Sequence, residues 1–277
     1  MMVKFTHYLV TRFNVPVENW DKDKAGRPTL DEPWMTHRLW LFRKYCVPTI
    51  IAQTCQNFQW VIYCDINTSF IKKTQIEESV RMIPGTVIRM VAHQGEMMSD
   101  LRKLISAAAT PYVITSRLDN DDGLGKNLIQ NVQNHFKEVD KSLLNPSAGI
   151  LYDINEKVMT RMRNSIRNHY TSLIEKNKNA EDLLTVLGFP HDNPPAGVII
   201  ENMADDRAWL KIIHEKNIKS QLKGKPVFVK KNIYFDGIKN AEFHFSFVNT
   251  MKYTLRRLRA KFLEKKNVTP LLPASDN

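Results

Sequence analysis

Cysteine is scarce in this chain: three in 277 residues, Cys46, Cys55 and Cys64, with no CxxC pair among them. Such an odd set argues against a disulfide framework or a zinc site and favours a reducing compartment. Long apolar runs are missing as well, since no stretch approaches the ~20 continuous apolar residues of a membrane span. The opening "MMVKFTHYLVTRFN" lacks a signal peptide's apolar core and small-residue cleavage site, so it reads as a first strand. The expected location is cytoplasmic. No GxxxxGK[ST] phosphate loop occurs, and no helix-turn-helix, zinc-finger or RRM signature. Internal repeats and low-complexity tracts are also absent.

What the chain does have is positive charge. Forty basic residues against 29 acidic leave +11, a balance that suits nucleic acid, anionic lipid or a phosphorylated substrate. The excess is uneven. Between Lys252 and Lys266 stand seven Lys or Arg and one Glu, a net of +6.

Periodicity gives the fold class. "HYLVTRFNV" alternates as a strand, and a Pro-, Asp- and Gly-containing loop follows it. Helical spacing runs from Met35 to Gln53 with a break at Pro48. "FQWVIYCD" and "TVIRMVA" are further strands. A helix carrying Leu101, Leu104, Ile105 and Ala108 is expected to start at Ser99 or Asp100 and to end before Pro111. Strands separated by amphipathic helices predict an α/β fold with a mostly parallel central sheet flanked by helices. In the second half "GILYDI" and "PVFVKKNIYF" read as strands, "VMTRMRNSIRNHYTSLIEK" as a basic helix and "GFPHDNPPAG" as a loop.

The most informative stretch is "YVITSRLDNDDGLG", residues 112–125, where a buried strand runs into Asp119, Asp121 and Asp122. Mutual repulsion makes that arrangement unfavourable unless a cation or a proton neutralises it. An acidic first turn of the following helix is one explanation, with Asp122 as its cap. A calcium loop fails, because the fifth, sixth and twelfth positions from Asp119 hold Gly123, Leu124 and Gln130. An aspartyl-phosphate phosphatase would carry Thr where Gly123 stands. The remaining option is a strand-end Asp-x-Asp that presents two carboxylates to Mn²⁺ or Mg²⁺ and leaves positions open for a nucleotide diphosphate.

"WMTHRLWLFRKYCVPTIIAQTCQNFQWVIYCD" and "SRLDNDDGL" resemble the rhamnosyl transferase family, and the wider arrangement resembles the glycosyltransferase A-type fold. The resemblance runs in outline from Thr6 to Asn217. It implies that Asp65 binds the nucleoside and that Arg12 and Asn14 touch the base or ribose. It also implies that Asp119 and Asp121 act through the metal and the diphosphate. Arg117 and Arg38 are expected to pair with Asp65, with the cluster or with a phosphate. His214, in "WLKIIHEKN", is expected to complete the metal shell or contact the diphosphate. The acceptor's base is expected from Asp205 or Asp206, ahead of an amphipathic segment, with Asp153 as the next candidate. Phe189–Gly197 is a candidate mobile lid.

The expected activity is metal-dependent transfer of a sugar, rhamnose by the family label, from a nucleotide-diphosphate donor to a glycan or lipid-linked acceptor, with inversion. The rival classes are a metal-dependent nucleotidyl or phosphoryl transferase and a basic nucleic-acid-binding protein; no nucleic acid partner is expected. The catalytic domain is expected over 1–245, a basic amphipathic helix over 246–266 and a disordered tail over 267–277. The stripe Phe247, Met251, Leu255, Leu258 and Phe262 lies on one helical face. Such a helix either docks its stripe on the domain or makes a peripheral contact with a membrane's inner face through residues 247–266.

Overall fold

The computed structural model of the chain describes residues 3–18, 20, 22–23, 25–165, 168–205, 207–217, 220–228 and 235–267. Its elements run β1 (Phe5–Arg12), α1 (Glu32–Leu41), α2 (Val47–Ile51), β2 (Gln59–Asp65), α3 (Phe70–Val80), β3 (Thr86–Val91), α4 (Gln94–Ser106) and β4 (Tyr112–Arg117). Then come β5 (Gly123–Leu124), α5 (Leu128–Asn134), β6 (Ser142–Pro146), β7 (Gly149–Asp153), β8 (Val158–Met162) and β9 (Ser172–Lys176). The chain continues through β10 (Ile199–Met203), β11 (Trp209–Ile213), β12 (Lys225–Pro226) and α6 (Phe247–Asn267).

Two sheets form. The larger has the order β10-β6-β9-β4-β1-β2-β3 and the smaller β12-β8-β7-β11-β5. In the larger sheet β3, β2, β1 and β4 are parallel, as is β10 with β6, and β9 runs antiparallel between β4 and β6. The mostly parallel sheet flanked by helices is therefore the one expected. Alternation along β1 serves both faces. Leu9 joins Ile62, Ile114, Phe42 and Ile50 in one core, while Val10 joins Val61, Val113, Leu101 and Ile105 in another. A third core packs Ile150, Tyr152, Leu210 and Ile212 of the smaller sheet against Leu41 and Tyr45.

Several local expectations change. The 35–53 helix does not break at Pro48; a π-helical turn, Phe42–Cys46, joins α1 to α2 and puts Pro48 in the first turn of α2. There its missing N–H costs least. The helix α4 starts at Gln94, earlier than Ser99, because His93 Nδ1 accepts from Glu96 N and Glu96 Oε2 accepts from Ala92 N, a reciprocal cap. Asp100 instead pairs with Arg89 and accepts from the Tyr63 hydroxyl at 2.9 Å. The expected basic helix over 158–176 is two strands, β8 and β9, which find partners in β7, β4 and β6. The segment after Asp205 is likewise the strand β11, paired with β7 and β5. Of "PVFVKKNIYF", residues 226–235, Pro226 ends the two-residue strand β12, and residues 229–234 lie outside the described residues, as do 268–277 of the expected tail. Among the described residues no helix is long and apolar enough to cross a membrane.

Candidate active site

Parallel pairing brings the C-terminal ends of β1, β2 and β4 together, with Arg12 opposite Tyr63 and Val10 opposite Arg117. At the first junction the Asn14 side chain takes the Asp65 N–H at 3.2 Å and donates to Thr68 Oγ1 at 2.9 Å. The Asp65 carboxylate accepts from Asn67 N at 2.9 Å. Asn14 and Asp65 thus meet at the strand ends, and neither Arg38 nor Arg117 pairs with Asp65.

Beyond β4 the chain turns, with Asp122 N donating to Asp119 O at 3.2 Å, and crosses to the second sheet, where Gly123 and Leu124 pair with Leu210 and Trp209. Gly123 sits in tight space: a Cβ there would lie 3.0 Å from Thr49 Cγ2 and 3.2 Å from the Tyr45 carbonyl, so Thr49 would have to give way. The three carboxylates then part company. Asp119, 31% exposed at its side chain, accepts from Arg117 Nη2 at 3.1 Å and Nε at 3.2 Å. Asp121, 7% exposed, holds Arg38 Nη1 at 2.5 Å, His214 Nε2 at 2.9 Å and Asn217 Nδ2 at 3.3 Å. Asp122, 2% exposed, accepts from Tyr170 Oη and from Ile212 N, both at 2.8 Å, with Lys211 Nζ at 3.8 Å. It does not cap the following helix.

Their charge states differ accordingly. Burial alone would raise all three. For Asp119 it is outweighed by Arg117, then His169, Lys211 and Arg12, and for Asp121 by Arg38 and His214, so both stay well below the usual carboxylate range. Burial wins at Asp122, with Asp121 and Asp119 adding repulsion against Lys211, and pushes it up to about 7. Burial lowers Arg12 to about 10, which leaves it charged at neutral pH, and its guanidinium stacks on Trp20 at 4.5 Å. Four cations, Arg12, Arg38, Arg117 and Lys211, therefore surround two firmly ionised carboxylates and a third that is about half protonated at neutral pH. The cleft favours anions.

Histidines extend it. His37 Nε2 lies 3.4 Å from His214 Nδ1, and His37 stacks on Trp40. The rings of His169 and His191 lie 3.7 Å apart, so the expected lid loop, through His191, packs beside a neighbour of Asp119. Burial, then Lys211, lowers His169 to about 3.

The remaining expected residues sit elsewhere. Asp205 accepts from Asn131 Nδ2 at 3.1 Å and from Arg207 N at 3.0 Å, at the end of β11 opposite His214. The structure does not bring it to the cluster, and Asp206 lies outside the described residues. Asp153 caps its own turn, accepting from Asn155 N and Glu156 N. Sequence reasoning missed His37, His169, Tyr170, Lys211 and Asn217. Only the His37-Arg38 pair carried a signal, two polar groups inside an apolar helical stretch.

The structure is thus an α/β protein that gathers four cations and three carboxylates at the carboxyl ends of its parallel strands. The chain belongs to the family described as "Putative rhamnosyl transferase", whose profile matches residues 5–226. No curated protein matches the sequence. Among solved structures, S. aureus TarS 1–349 in complex with UDP-GlcNAc is similar at 13% identity and TM-score 0.44, over 78% of this chain and 60% of that one. The chain thus spans less than two thirds of that relative's length. The inositol-1-phosphate CTP transferase from T. maritima is similar at 10% identity and TM-score 0.34, over 76% of this chain and 91% of that one.

Proposed function

We propose that the protein is a nucleotide-sugar glycosyltransferase that moves a sugar, rhamnose by the family's name, onto a glycan or lipid-linked acceptor in the cytoplasm. The observation that supports this most is the convergence of Arg12, Arg38, Arg117 and Lys211 on Asp119–Asp122 at the strand ends, beside Asn14 and Asp65. Asn14 and Asp65 meet the nucleoside. Arg12, Arg117 and Lys211 take the diphosphate, whose charge grows as the sugar departs.

A hard divalent cation such as Mn²⁺ or Mg²⁺ takes oxygen donors first, and of the two Mn²⁺ is the one that accepts an imidazole beside them. Asp121 Oδ2 and His214 Nε2, 2.9 Å apart, are such a pair, and the partly exposed Asp119 adds further oxygens. Among the described residues no group of three His, Cys, Asp or Glu that could hold a metal ion is gathered; Asp121, His214 and Asp119 would hold the cation once Arg38 and Arg117 released the two carboxylates. When bound there, the cation neutralises charge on the leaving diphosphate. The acceptor hydroxyl loses its proton to a carboxylate outside this set. The expected Asp205 or Asp206 is the candidate for that role in this reading, although the structure holds Asp205 on Asn131 at the end of β11 away from His214. Substitution at the anomeric carbon then proceeds with inversion.

Thermal-shift and calorimetric titration with nucleotide diphosphates and their sugars, with and without Mn²⁺, tests the reading. Binding is expected to require the cation and to disappear in Asp119→Asn/Asp121→Asn with the fold intact. Unchanged affinity in that double variant, or no affinity of the parent for any nucleotide, refutes it.

A further inference from the structure

Surface helices normally turn their apolar side to the core. The helix α6 does the reverse. It meets the domain through polar side chains: Thr250 is fully buried, Asn249 Nδ2 donates to Glu156 O at 2.9 Å and Tyr253 Oη donates to Gly224 O at 3.2 Å. These contacts lean it on β8 and β12, the edge of the smaller sheet. The stripe Phe247, Met251, Leu255, Leu258 and Phe262 looks outward, each residue between 39% and 61% exposed. Phe228, 40% exposed and 6.3 Å from Phe247 between ring centres, continues the apolar patch onto the domain. The sequence left docking on the domain open, and the structure uses the opposite face for that.

An outward apolar stripe needs a cover. At 100° per residue, Lys252 and Arg259 border the stripe and Arg256 lies beyond them, all three exposed. A second copy of the chain would bring the same +6 segment against itself, and like charges repel there. An anionic lipid surface satisfies the apolar stripe and the cations together. We propose that α6 lies in the plane of an anionic membrane, its stripe at the boundary of headgroups and acyl chains and Lys252, Arg256 and Arg259 on the headgroups. The helix has 21 residues, long enough for about six turns of in-plane contact. This contact is separate from the transfer chemistry and stands without it.

The test is co-sedimentation of the full chain with phosphatidylcholine vesicles, with and without phosphatidylglycerol, across a salt series. The chain is expected in the pellet only with phosphatidylglycerol, and less so as salt rises. Leu255→Ser/Leu258→Ser is expected to abolish the binding. Lys252→Gln/Arg256→Gln/Arg259→Gln is expected to weaken it on the order of a hundredfold, from the contribution of each cation near such a surface. All five positions are exposed, so the melting temperature of each variant is expected to match the parent. Recovery of the parent in the supernatant with phosphatidylglycerol vesicles overturns the proposal. So does a parent dimer, by light scattering, that Leu255→Ser/Leu258→Ser converts to a monomer, because the stripe then belongs to a second copy. Neither readout uses a sugar donor, so failure of the transferase reading leaves the result intact.

Discussion

Arg38 is where stability and metal binding pull against each other. Its guanidinium lies 2.5 Å from Asp121, the two side chains being 10% and 7% exposed, and it also donates to Asn120 Oδ1 at 3.1 Å. Replacing it by Met keeps most of the stem's packing, including its place beside Trp34, and removes the charge. Asp121 is then left buried with His214 and Asn217. Removing one partner of a buried pair costs ~3–5 kcal/mol, most of it the desolvation of the remaining charge. For a chain of this size that corresponds to a fall in Tm of roughly 10 °C.

The same substitution frees the Asp121 carboxylate for a divalent cation, since Arg38 no longer competes for it. Arg38→Met is therefore expected to melt roughly 10 °C below the parent in chelator and to recover part of that loss in Mn²⁺. Its Mn²⁺ affinity by calorimetry is expected to rise about tenfold or more, a gain of ~1.4 kcal/mol. Adding Asp121→Asn in the same chain removes the buried charge, restores stability in chelator and abolishes the gain for Mn²⁺. A variant that melts with the parent refutes the assigned weight of the pair. A destabilised variant with unchanged Mn²⁺ affinity removes Asp121 from the proposed ligands.

Two further outcomes follow from other residues. Asp205→Asn or Asp206→Asn is expected to lower turnover by ~10²-fold or more with donor affinity nearly unchanged; full turnover in both singles and the double places the base at another carboxylate, Asp153 first. His7, 2% exposed between Ser116 Oγ and Gln133 Nε2, has its pKa lowered by burial from 6.5 to about 3. The native state stays neutral while the unfolded chain protonates below 6.5, so stability is lost as pH falls from there toward 3, by about 3 kcal/mol at pH ~4.5. The acid fall in the urea midpoint is expected to be smaller in His7→Gln than in the parent, His169 contributing equally in both, and an equal acid loss in both proteins contradicts the assignment.

Much of the fold's first half was legible because its strands are short β-rich apolar runs whose ends carry polar groups. Asn14, Asp65 and Asp119–Asp122 could be placed at strand ends before any pairing was known. The parallel pairing then did what such sheets do and collected them. α3 carried little signal, since Phe70 and Ile71 are exposed and its buried positions are Lys72, Ile76 and Val80. The misreading of 158–176 as a helix has a physical source. Val158, Thr160, Thr171 and Ile174 are β-branched, but their preference takes effect only once β7, β4 and β6 offer edges. Asp205 was read as preceding a helix for the same reason, because β11 exists through β7 and β5.

The cluster's charge balance was the least legible feature, since its cations come from far along the chain. Arg38 reaches Asp121 from α1, and Lys211 reaches Asp122 from β11. Read along the sequence, the segment is an acidic site in want of a cation. In space the acids serve in large part to hold cations still. Asp119 fixes Arg117 through two of its nitrogens, and Asp121 and Asn120 fix Arg38, whose buried Nε has no hydrogen-bond partner among the described residues. A guanidinium carries five N–H donors in a rigid fork, so clamping one or two of them aims the remainder without neutralising the group's usefulness. Donors fixed before the substrate arrives need no reorganisation as charge develops on a leaving phosphate. The carboxylates thus favour anion binding even though they are anions themselves, because Arg12, Arg38, Arg117 and Lys211 outnumber them whichever state Asp122 takes.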